Sequence, residues 1–170
     1  MLVLGIDPGT ALTGYGLVKS EGDDLTLVAY GVITTSPHQP LPERLQHIYR
    51  ELTALIEDRQ PTAVAVEELF FSKNVRTALS VGQARGVALL AAANAGLPVY
   101  EYTPLQVKQA IVGYGQASKA QVQQMVKMLL ALDSVPQPDD AADAIAVAIC
   151  HTHSARLTAM LGLRSEAQGA

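Results

Sequence analysis

The sequence predicts an α/β domain in which helices flank a mixed sheet of five strands. Residues 2–6 and 62–66 are short apolar runs without a polar break, which is typical of strands buried on both faces of a sheet. Between these runs, apolar residues recur at the spacing of an amphipathic helix. The predicted order is three strands, a helix, a strand, a helix, a strand and then helices. This order favours a sheet with helices packed on its faces.

The strands are bounded by turn residues. Asp7 ends the first strand, because a Pro-Gly turn follows it directly. A Gly-Asp-Asp turn separates the second strand from the third, so the first three strands are expected to form a meander. In the second strand, Gly14 and Gly16 would allow another backbone to approach closely. We place the strands at residues 2–6, 12–19, 25–34, 62–66 and 97–102.

The helices are bounded by apolar spacing and by capping residues. The first helix is expected to end near Gln60, just before a proline. Thr103-Pro-Leu-Gln and Ser118-Lys-Ala-Gln are capping boxes that begin the third and fourth helices. Asp139 or Asp140 is expected to cap the last helix. We place the helices at residues 41–60, 78–95, 103–113, 118–132 and 139–156.

The composition indicates a globular protein. The chain has 170 residues, of which 49% are hydrophobic and 16% are charged, enough for one domain with a sizeable core. No apolar run approaches the roughly 18 residues of a membrane span, and residues 1–20 lack a signal-peptide pattern. Cys150 is the only cysteine, which fits a reducing compartment. We expect a cytoplasmic protein with one domain at residues 1–156 and a partly disordered tail at residues 157–170.

Carboxylates mark the ends of the elements that the pattern predicts to be buried. Asp7 ends the first strand and Glu67-Glu68 ends the fourth, so two parallel neighbouring strands would bring these acids to one edge of the sheet. The last helix carries Asp140 and Asp143 on one face, and its nearly apolar continuation must be buried. These acids therefore predict an acidic site at one edge of the sheet.

Each acid also has a structural interpretation. For a lone aspartate at the start of the last helix, capping is the more common role, and this applies to Asp139 and Asp140. Glu67 or Glu68 can be a solvated strand end. Asp143 is harder to explain in this way, because an acid in the first turn of a buried helix costs free energy unless a partner neutralises it.

A divalent cation is the usual partner of several converging carboxylates. Oxygen-only ligands suit Mg²⁺ or Mn²⁺, and acidic sites that hold two Mg²⁺ ions cleave phosphodiesters by in-line displacement. No cluster of histidine and cysteine predicts a zinc site. His151 and His153 lie within the last helix, where packing is their more common role. The pattern contains no strong arrangement for a covalent nucleophile.

The charge is unevenly distributed along the chain. The formal net charge is -4, but residues 73–127 carry six basic residues and one acid, a net charge of +5. Such a segment is either an ordinary solvated face or a surface that binds phosphates, and the composition does not decide between them. The basic residues are Lys73, Arg76, Arg85, Lys108, Lys119 and Lys127.

Five motifs follow one another along the chain. They are GIDPGT at residues 5–10, AVEELFFSKN at 65–74, GQARG at 82–86, QVKQ at 106–109 and DAADA at 140–144. In this order they resemble the RuvC family of Holliday-junction resolvases, and the resemblance extends from residue 4 to residue 153. The first motif alone is weak, since actin-like ATPases also carry an Asp-x-Gly-Thr strand end, but the five together are highly specific.

The resemblance implies an RNase H-like fold and a Mg²⁺-dependent endonuclease. By resemblance, the enzyme makes paired symmetric nicks in a four-way DNA junction and leaves 5′-phosphate and 3′-hydroxyl ends. Two Mg²⁺ ions are implied at each active site, and Mn²⁺ is able to replace them. The family's basic residues near the scissile phosphate fall on Lys108 and Lys119. Its four catalytic and metal-binding acids fall on Asp7, Glu67, Asp140 and Asp143.

The resemblance also implies partners. The basic segment becomes a DNA-facing surface. The helix with Gly82, Ala84, Gly86 and Ala88 would pack either on its own sheet or across a dimer two-fold axis, and the resemblance favours the dimer. The implied partners are four-way junction DNA, a second copy of the chain and the RuvA–RuvB branch-migration complex. Phe70 corresponds to the family's base-contacting aromatic residue. The predicted DNA-binding residues are Phe70, Phe71, Lys73, Asn74, Arg76, Arg85, Lys108 and Lys119.

Two departures from the family pattern and two other functions stay open. Glu68 stands where the family has an amide, so either Glu67 or Glu68 is able to serve as the ligand, with strand direction favouring Glu67. Asp139 adds an acid beside Asp140, the position at which some relatives carry histidine. The alternatives are an actin-like or sugar-kinase ATPase, suggested by the first motif, and a junction-binding module without catalytic activity.

Overall fold

The computed structural model describes residues 1–68 and 75–162, except for the side chain of Arg76. This part of the chain contains five strands and five helices, beginning with three strands and ending with three helices. The strands are β1 (Leu2–Asp7), β2 (Leu12–Glu21), β3 (Asp24–Thr34), β4 (Ala63–Glu67) and β5 (Val99–Tyr102). The helices are α1 (Leu41–Arg59), α2 (Val75–Asn94), α3 (Pro104–Val112), α4 (Lys119–Leu129) and α5 (Asp139–Met160).

The strands form one mixed sheet in the order β3-β2-β1-β4-β5. The first three strands are antiparallel neighbours, which confirms the predicted meander. β4 pairs with β1 in parallel, with Ile6 opposite Val66, and β5 pairs with β4 in parallel. The carboxyl ends of β1, β4 and β5 therefore lie at the same edge of the sheet. The prediction of a five-stranded α/β fold is confirmed.

Helices cover both faces of the sheet, because successive side chains of a strand point to opposite faces. On one face, α5 packs with α3 and α4 against residues such as Val3 and Ala65. On the other face, α1 and α2 pack against residues such as Leu4 and Val66. β1 and β4 are thus buried on both faces, which explains why their sequences are apolar without a break.

Glycines in β1 and β2 let α5 lie directly on the backbone of the sheet. A Cβ atom at Gly14 would clash with the carbonyl oxygen of Asp140, and one at Gly5 would clash with that of Ala144. A Cβ atom at Gly16 would press into the side chain of Ile145. The prediction that Gly14 and Gly16 accept a close backbone is confirmed. These contacts determine how near the first turn of α5 comes to the end of β1.

Several predicted boundaries were wrong. α2 begins at Val75 rather than 78, and the prediction missed residues 75–77 because they carry no apolar pattern. β5 begins at Val99 rather than 97. α5 continues past the predicted domain boundary at residue 156 as far as Met160. The division into a domain and a tail stays a prediction, and residues 163–170 of that tail lie outside the described residues.

The expected capping of α5 by an aspartate was also wrong. The cap position is Pro138, and no side chain caps this helix end. The carbonyl oxygen of Pro138 accepts hydrogen bonds from the backbone amides of Ala141 and Ala142. Asp139 and Asp140 lie in the first turn instead, so their carboxylates are free for other partners. None of the helices in the described part of the chain is long and apolar enough to cross a membrane.

Candidate active site

Asp7 and Glu67 meet where two parallel strands end. Asp7 is the last residue of β1 and Glu67 is the last residue of β4. The two carboxyl groups share a hydrogen bond, in which Asp7 donates to Glu67. The next residue, Glu68, is exposed, and its backbone amide donates to the carbonyl oxygen of Tyr102 at 2.8 Å. The geometry therefore favours Glu67 over Glu68 as the inward-facing acid.

The first turn of α5 brings two more acids to the same edge. Asp140 adjoins β2, where Gly14 leaves room for its backbone. Asp143 follows one turn later, and its side chain is 28% exposed. The rest of the helix, from Ala144 to Thr152, is buried against the sheet. Its apolar packing fixes the positions of both acids.

Burial and mutual repulsion make these carboxyl groups hard to ionise. Burial, together with the charges of Glu67, Asp143 and Asp140, raises the pKa of Asp7 to about 8. Burial and the charge of Asp143 also raise the pKa of Glu67, although the hydrogen bond from Asp7 opposes this shift. Burial raises the pKa of Asp143 despite its contact with Lys119. At neutral pH and without a cation, Asp7 therefore holds a proton.

Two cavities open on either side of Glu67. The acidic cavity, of about 360 Å³, lies between the end of β1 and the start of α2. The basic cavity, of about 230 Å³, lies between β4 and the starts of α3 and α4. Glu67 and Pro104 line both of them. The other charged residues are Asp7, Glu68 and Asp140 in the acidic cavity, and Lys108, Lys119 and Asp143 in the basic cavity.

Two capping boxes place the lysines of the basic cavity. The Thr103 side chain accepts a hydrogen bond from the backbone amide of Gln106, which fixes the start of α3 one turn before Lys108. Ser118 and Gln121 form the same arrangement at α4, of which Lys119 is the first residue. Both predicted capping boxes are confirmed. They direct two basic residues from separate helices toward Glu67.

Lys119 is already paired with carboxylates. Its Nζ atom lies 2.7 Å from Oδ2 of Asp143 and 3.5 Å from Oδ2 of Asp139. Burial acts to lower the pKa of Lys119, but the hydrogen bond and charge of Asp143, with a contribution from Asp139, raise it overall. The sequence contains no pattern that predicts this contact, because Lys119 and Asp143 lie 24 positions apart.

The donor set fits a hard divalent cation. Asp7, Glu67, Asp140 and Asp143 offer only oxygen ligands, which Mg²⁺ and Mn²⁺ prefer. Within residues 1–68 and 75–162, no three such side chains converge as a ready metal cluster. Instead, a proton bridges Asp7 and Glu67, and the Lys119 ammonium holds Asp143. A bound cation would thus replace the proton between Asp7 and Glu67 and the Lys119 ammonium as the positive charge that neutralises these carboxylates.

The two histidines of α5 make structural contacts away from the acids. The Tyr102 hydroxyl and Nδ1 of His151 are hydrogen-bonded at 2.8 Å, and the His151 ring also lies 4.2 Å from the ring of Tyr100. Burial lowers the pKa of His151 to about 4, so the ring is neutral. Nδ1 of His153 lies 3.2 Å from the carbonyl oxygen of Ala110. These contacts support the structural role expected for both histidines.

Most of the predicted DNA-binding side chains lie outside the part of the chain that the structure describes. Phe70, Phe71, Lys73 and Asn74 lie outside the described residues, as does the side chain of Arg76. Arg85 forms an ion pair with Glu101 on β5, where the two side chains are 25% and 15% exposed. The structure thus gives Arg85 a protein partner, and its predicted contact with DNA stays a prediction. The described basic residues beside the acids are Lys108 and Lys119.

Comparisons with known proteins agree with this geometry. Residues 3–151 match the family described as crossover junction endodeoxyribonuclease RuvC. A relative of that name from Desulfitobacterium hafniense is 61% identical over 162 residues, which are 95% of this chain and 98% of the relative. The Thermus thermophilus RuvC structure has a TM-score of 0.87 at 43% identity, covering 92% of this chain and 96% of that one. Its complex with a Holliday junction substrate has a TM-score of 0.85 at 41% identity, with the same coverage.

Proposed function

Because the chain belongs to the RuvC family of crossover junction endodeoxyribonucleases, we propose that it resolves four-way DNA junctions at the acidic edge of its sheet. The observation that carries this proposal is that Asp7, Glu67 and Asp140 line one cavity and that Glu67 and Asp143 line the next, at a site that raises the pKa of Asp7 to about 8. The fold is the RNase H-like fold that the family resemblance implies. The complex of a similar protein with a Holliday junction supports the choice of substrate.

Members of this family are metal-dependent nucleases, and the four acids are the proposed ligands here. Asp7, Glu67, Asp140 and Asp143 would hold two Mg²⁺ ions, with Mn²⁺ as a substitute. When bound, such ions activate a water molecule and stabilise the leaving oxygen of an in-line displacement. The chain itself contributes the carboxylates and the buried surroundings that exclude competing ligands.

The two lysines of the basic cavity would act on the scissile phosphate. Lys108 and Lys119 line that cavity together with Glu67 and Asp143. A fixed positive charge that faces the phosphate stabilises the charge that develops in the transition state, and partial burial strengthens this effect. The capping boxes of α3 and α4 hold both helix starts in place before DNA binds.

The remaining parts of the proposal concern products and partners. The reaction consists of paired symmetric nicks that leave 5′-phosphate and 3′-hydroxyl ends. Lys73, Asn74 and Arg76 would bind DNA phosphates, while Phe70 and Phe71 would contact bases near the crossover. The RuvA–RuvB complex is the proposed protein partner. A cytoplasmic location stays a prediction.

A dimer would place two active sites on one junction. The face of α2 that points away from the sheet carries Val75, Leu79 and Leu90, which are 71%, 65% and 52% exposed. These three residues share one side of the helix, because their spacing of four and eleven positions matches the helical repeat. An apolar stripe of this kind supports self-association through α2.

Substitution of the acids tests the catalytic site. We expect Asp7→Asn and Asp143→Asn each to lower Mg²⁺-dependent cleavage of a synthetic four-way junction at least about a hundredfold. Junction binding in EDTA should persist or tighten, since each change removes a negative charge that repels phosphate. Asp24→Asn is the matched control, because Asp24 is exposed at the opposite end of the sheet. Loss of binding in step with cleavage would contradict the proposal.

A further inference from the structure

Asp139 and Gln123 form an arrangement around Lys119 that the proposed catalytic roles do not explain. Lys119 lies between two carboxylates of α5, with its Nζ atom 2.7 Å from Asp143 and 3.5 Å from Asp139. The other oxygen of Asp139 accepts a hydrogen bond of 3.0 Å from Nε2 of Gln123 on α4. Asp139 is therefore held in place, although its side chain is 55% exposed.

A metal ion bound to Asp143 would compete with this lysine. The Lys119 ammonium contacts Oδ2 of Asp143, a carboxylate that is only 28% exposed. Two cations on one partly buried carboxylate repel each other strongly, because little water screens them. Binding of the metal therefore weakens the hold of Asp143 on the ammonium, and the free energy of metal binding depends on whether another group takes the ammonium over.

The backbone around Lys119 does not offer the ammonium a favourable alternative. Lys119 is the first residue of α4, where the unpaired backbone amides give the helix end a partial positive charge. Without a second carboxylate, its flexible side chain would turn into solvent and away from the basic cavity. Asp139 lies one turn before Asp143 on the same helix, and its Oδ2 atom is already 3.5 Å from the ammonium.

We propose that Asp139 is a positioning residue that takes over the Lys119 ammonium when a metal ion engages Asp143, and that Gln123 holds Asp139 ready for this transfer. The inference rests on the proposed function, because it takes Asp143 to be a metal ligand. It gives a role to the acid beside Asp140 that lies outside the catalytic set. A short movement between two carboxylates keeps a positive charge at the rim of the site.

Binding of Mn²⁺ without DNA tests the energetic part of this inference. By isothermal titration calorimetry, Asp139→Asn should weaken Mn²⁺ binding about threefold, and Asp24→Asn should leave it unchanged. In a Lys119→Met background, the effect of Asp139→Asn should become smaller. If Asp139 acted only through its own charge, that effect would be equal or larger without the lysine, and such a result would overturn the inference.

The reactivity of Lys119 tests the transfer itself. Acetylation of Lys119 is measured by mass spectrometry, relative to the exposed Lys19. We expect Asp139→Asn to raise the relative rate at least about twofold in saturating Mg²⁺ and to leave it unchanged in EDTA, where Asp143 still holds the ammonium. Gln123→Met should have a smaller effect in the same direction, and Asp139→Glu should restore protection.

The outcomes separate the inference from the function on which it rests. Equal acetylation of the wild-type protein and Asp139→Asn in Mg²⁺ would overturn the inference alone, provided that Asp143→Asn weakens Mn²⁺ binding. If Asp143→Asn bound Mn²⁺ as tightly as the wild-type protein, the proposed metal site would be wrong, and the inference would be overturned with it. If Lys119 were acetylated faster in Asp139→Asn than in the wild-type protein in EDTA, Asp139 would anchor the lysine even without a metal, and the inference would be overturned.

Discussion

At the scale of single residues, the site is organised by the free-energy cost of placing charge at the end of a buried strand. Asp7 follows an apolar run directly, so its carboxyl group is largely withdrawn from water, and the nearest ionisable groups are other acids. Desolvation and repulsion both favour the neutral form. Without a cation, the folded protein therefore retains a proton that the unfolded chain releases, and stability depends on pH.

We expect the metal-free protein to lose stability between pH 6.5 and pH 8. The pKa of Asp7 is about 8 in the folded protein, against 3.8 for an unperturbed aspartate, so the folded state binds the extra proton and is weakened as the pH rises through this window. Between pH 6.5 and pH 8, the free energy of unfolding should fall by about 1–2 kcal/mol more in the wild-type protein than in Asp7→Asn. The reason is that the amide of the variant is neutral at every pH and is still able to donate to Glu67. Melting temperatures in EDTA across this range measure the effect.

The buried side chains of His151, Tyr102 and Cys150 titrate outside that window, so they do not contribute to the measured change. The pKa of His151 falls from 6.5 to about 4, so its contribution to stability is lost only as the pH decreases below about 6.5. The pKa values of Tyr102 and Cys150 rise to about 12, above the range tested. Asp24→Asn is the control. A parallel loss of stability in wild-type protein and Asp7→Asn would contradict the assignment of the proton to Asp7.

At the scale of elements, the position of α5 decides whether the acids meet. The helix is apolar for most of its length and lies directly on β1 and β2, where glycines leave no side chain in between. Asp140 and Asp143 therefore take their positions from backbone packing along the whole helix. Displacement of the first turn would separate them from Asp7, even if the rest of the fold stayed intact.

Gly14→Ala should move that first turn. The new methyl group would clash with the carbonyl oxygen of Asp140, and overpacking of this kind typically costs about 1–3 kcal/mol. We expect a lower melting temperature and, well below it, single-turnover cleavage reduced at least about tenfold. Ser20→Ala, near the other end of β2, is the control and should change neither measurement. Normal cleavage by a destabilised Gly14→Ala would mean that the acids do not depend on this contact.

The elements also show how much of the structure was predictable from the sequence. Apolar runs and strand direction sufficed to place Asp7 and Glu67 at one edge, because a parallel pair of strands ends on the same side. The ion pair between Lys119 and Asp143 was not predictable, since it depends on how α4 docks beside α5. The predicted capping of α5 by an aspartate was wrong, because the backbone carbonyl of Pro138 accepts the hydrogen bonds that a side chain was expected to accept.

At the scale of the whole molecule, paired nicking requires two active sites in a fixed relation. One chain places its four acids at a single edge of one sheet, which supports one cleavage site for each chain. The exposed apolar face of α2 begins beside the acidic cavity, to which Thr77 and Ala78 contribute. A two-fold contact through this helix would therefore link the two sites directly, and nicking of both strands would depend on it.

Leu79→Glu combined with Leu90→Glu should separate the protomers. Both side chains are exposed in the single chain, so each substitution should change the folding stability of the monomer by less than about 0.5 kcal/mol, while burial of two charges would oppose the contact. We expect a dimer for the wild-type protein and a monomer for the variant by analytical ultracentrifugation. Leu157→Glu is the control, since Leu157 is 59% exposed on α5.

On a supercoiled plasmid with an extruded cruciform, the wild-type protein should give linear DNA by paired nicks, whereas the Leu79→Glu, Leu90→Glu variant should give mainly nicked circles. A variant that stays dimeric and still produces linear DNA would place the dimer contact elsewhere.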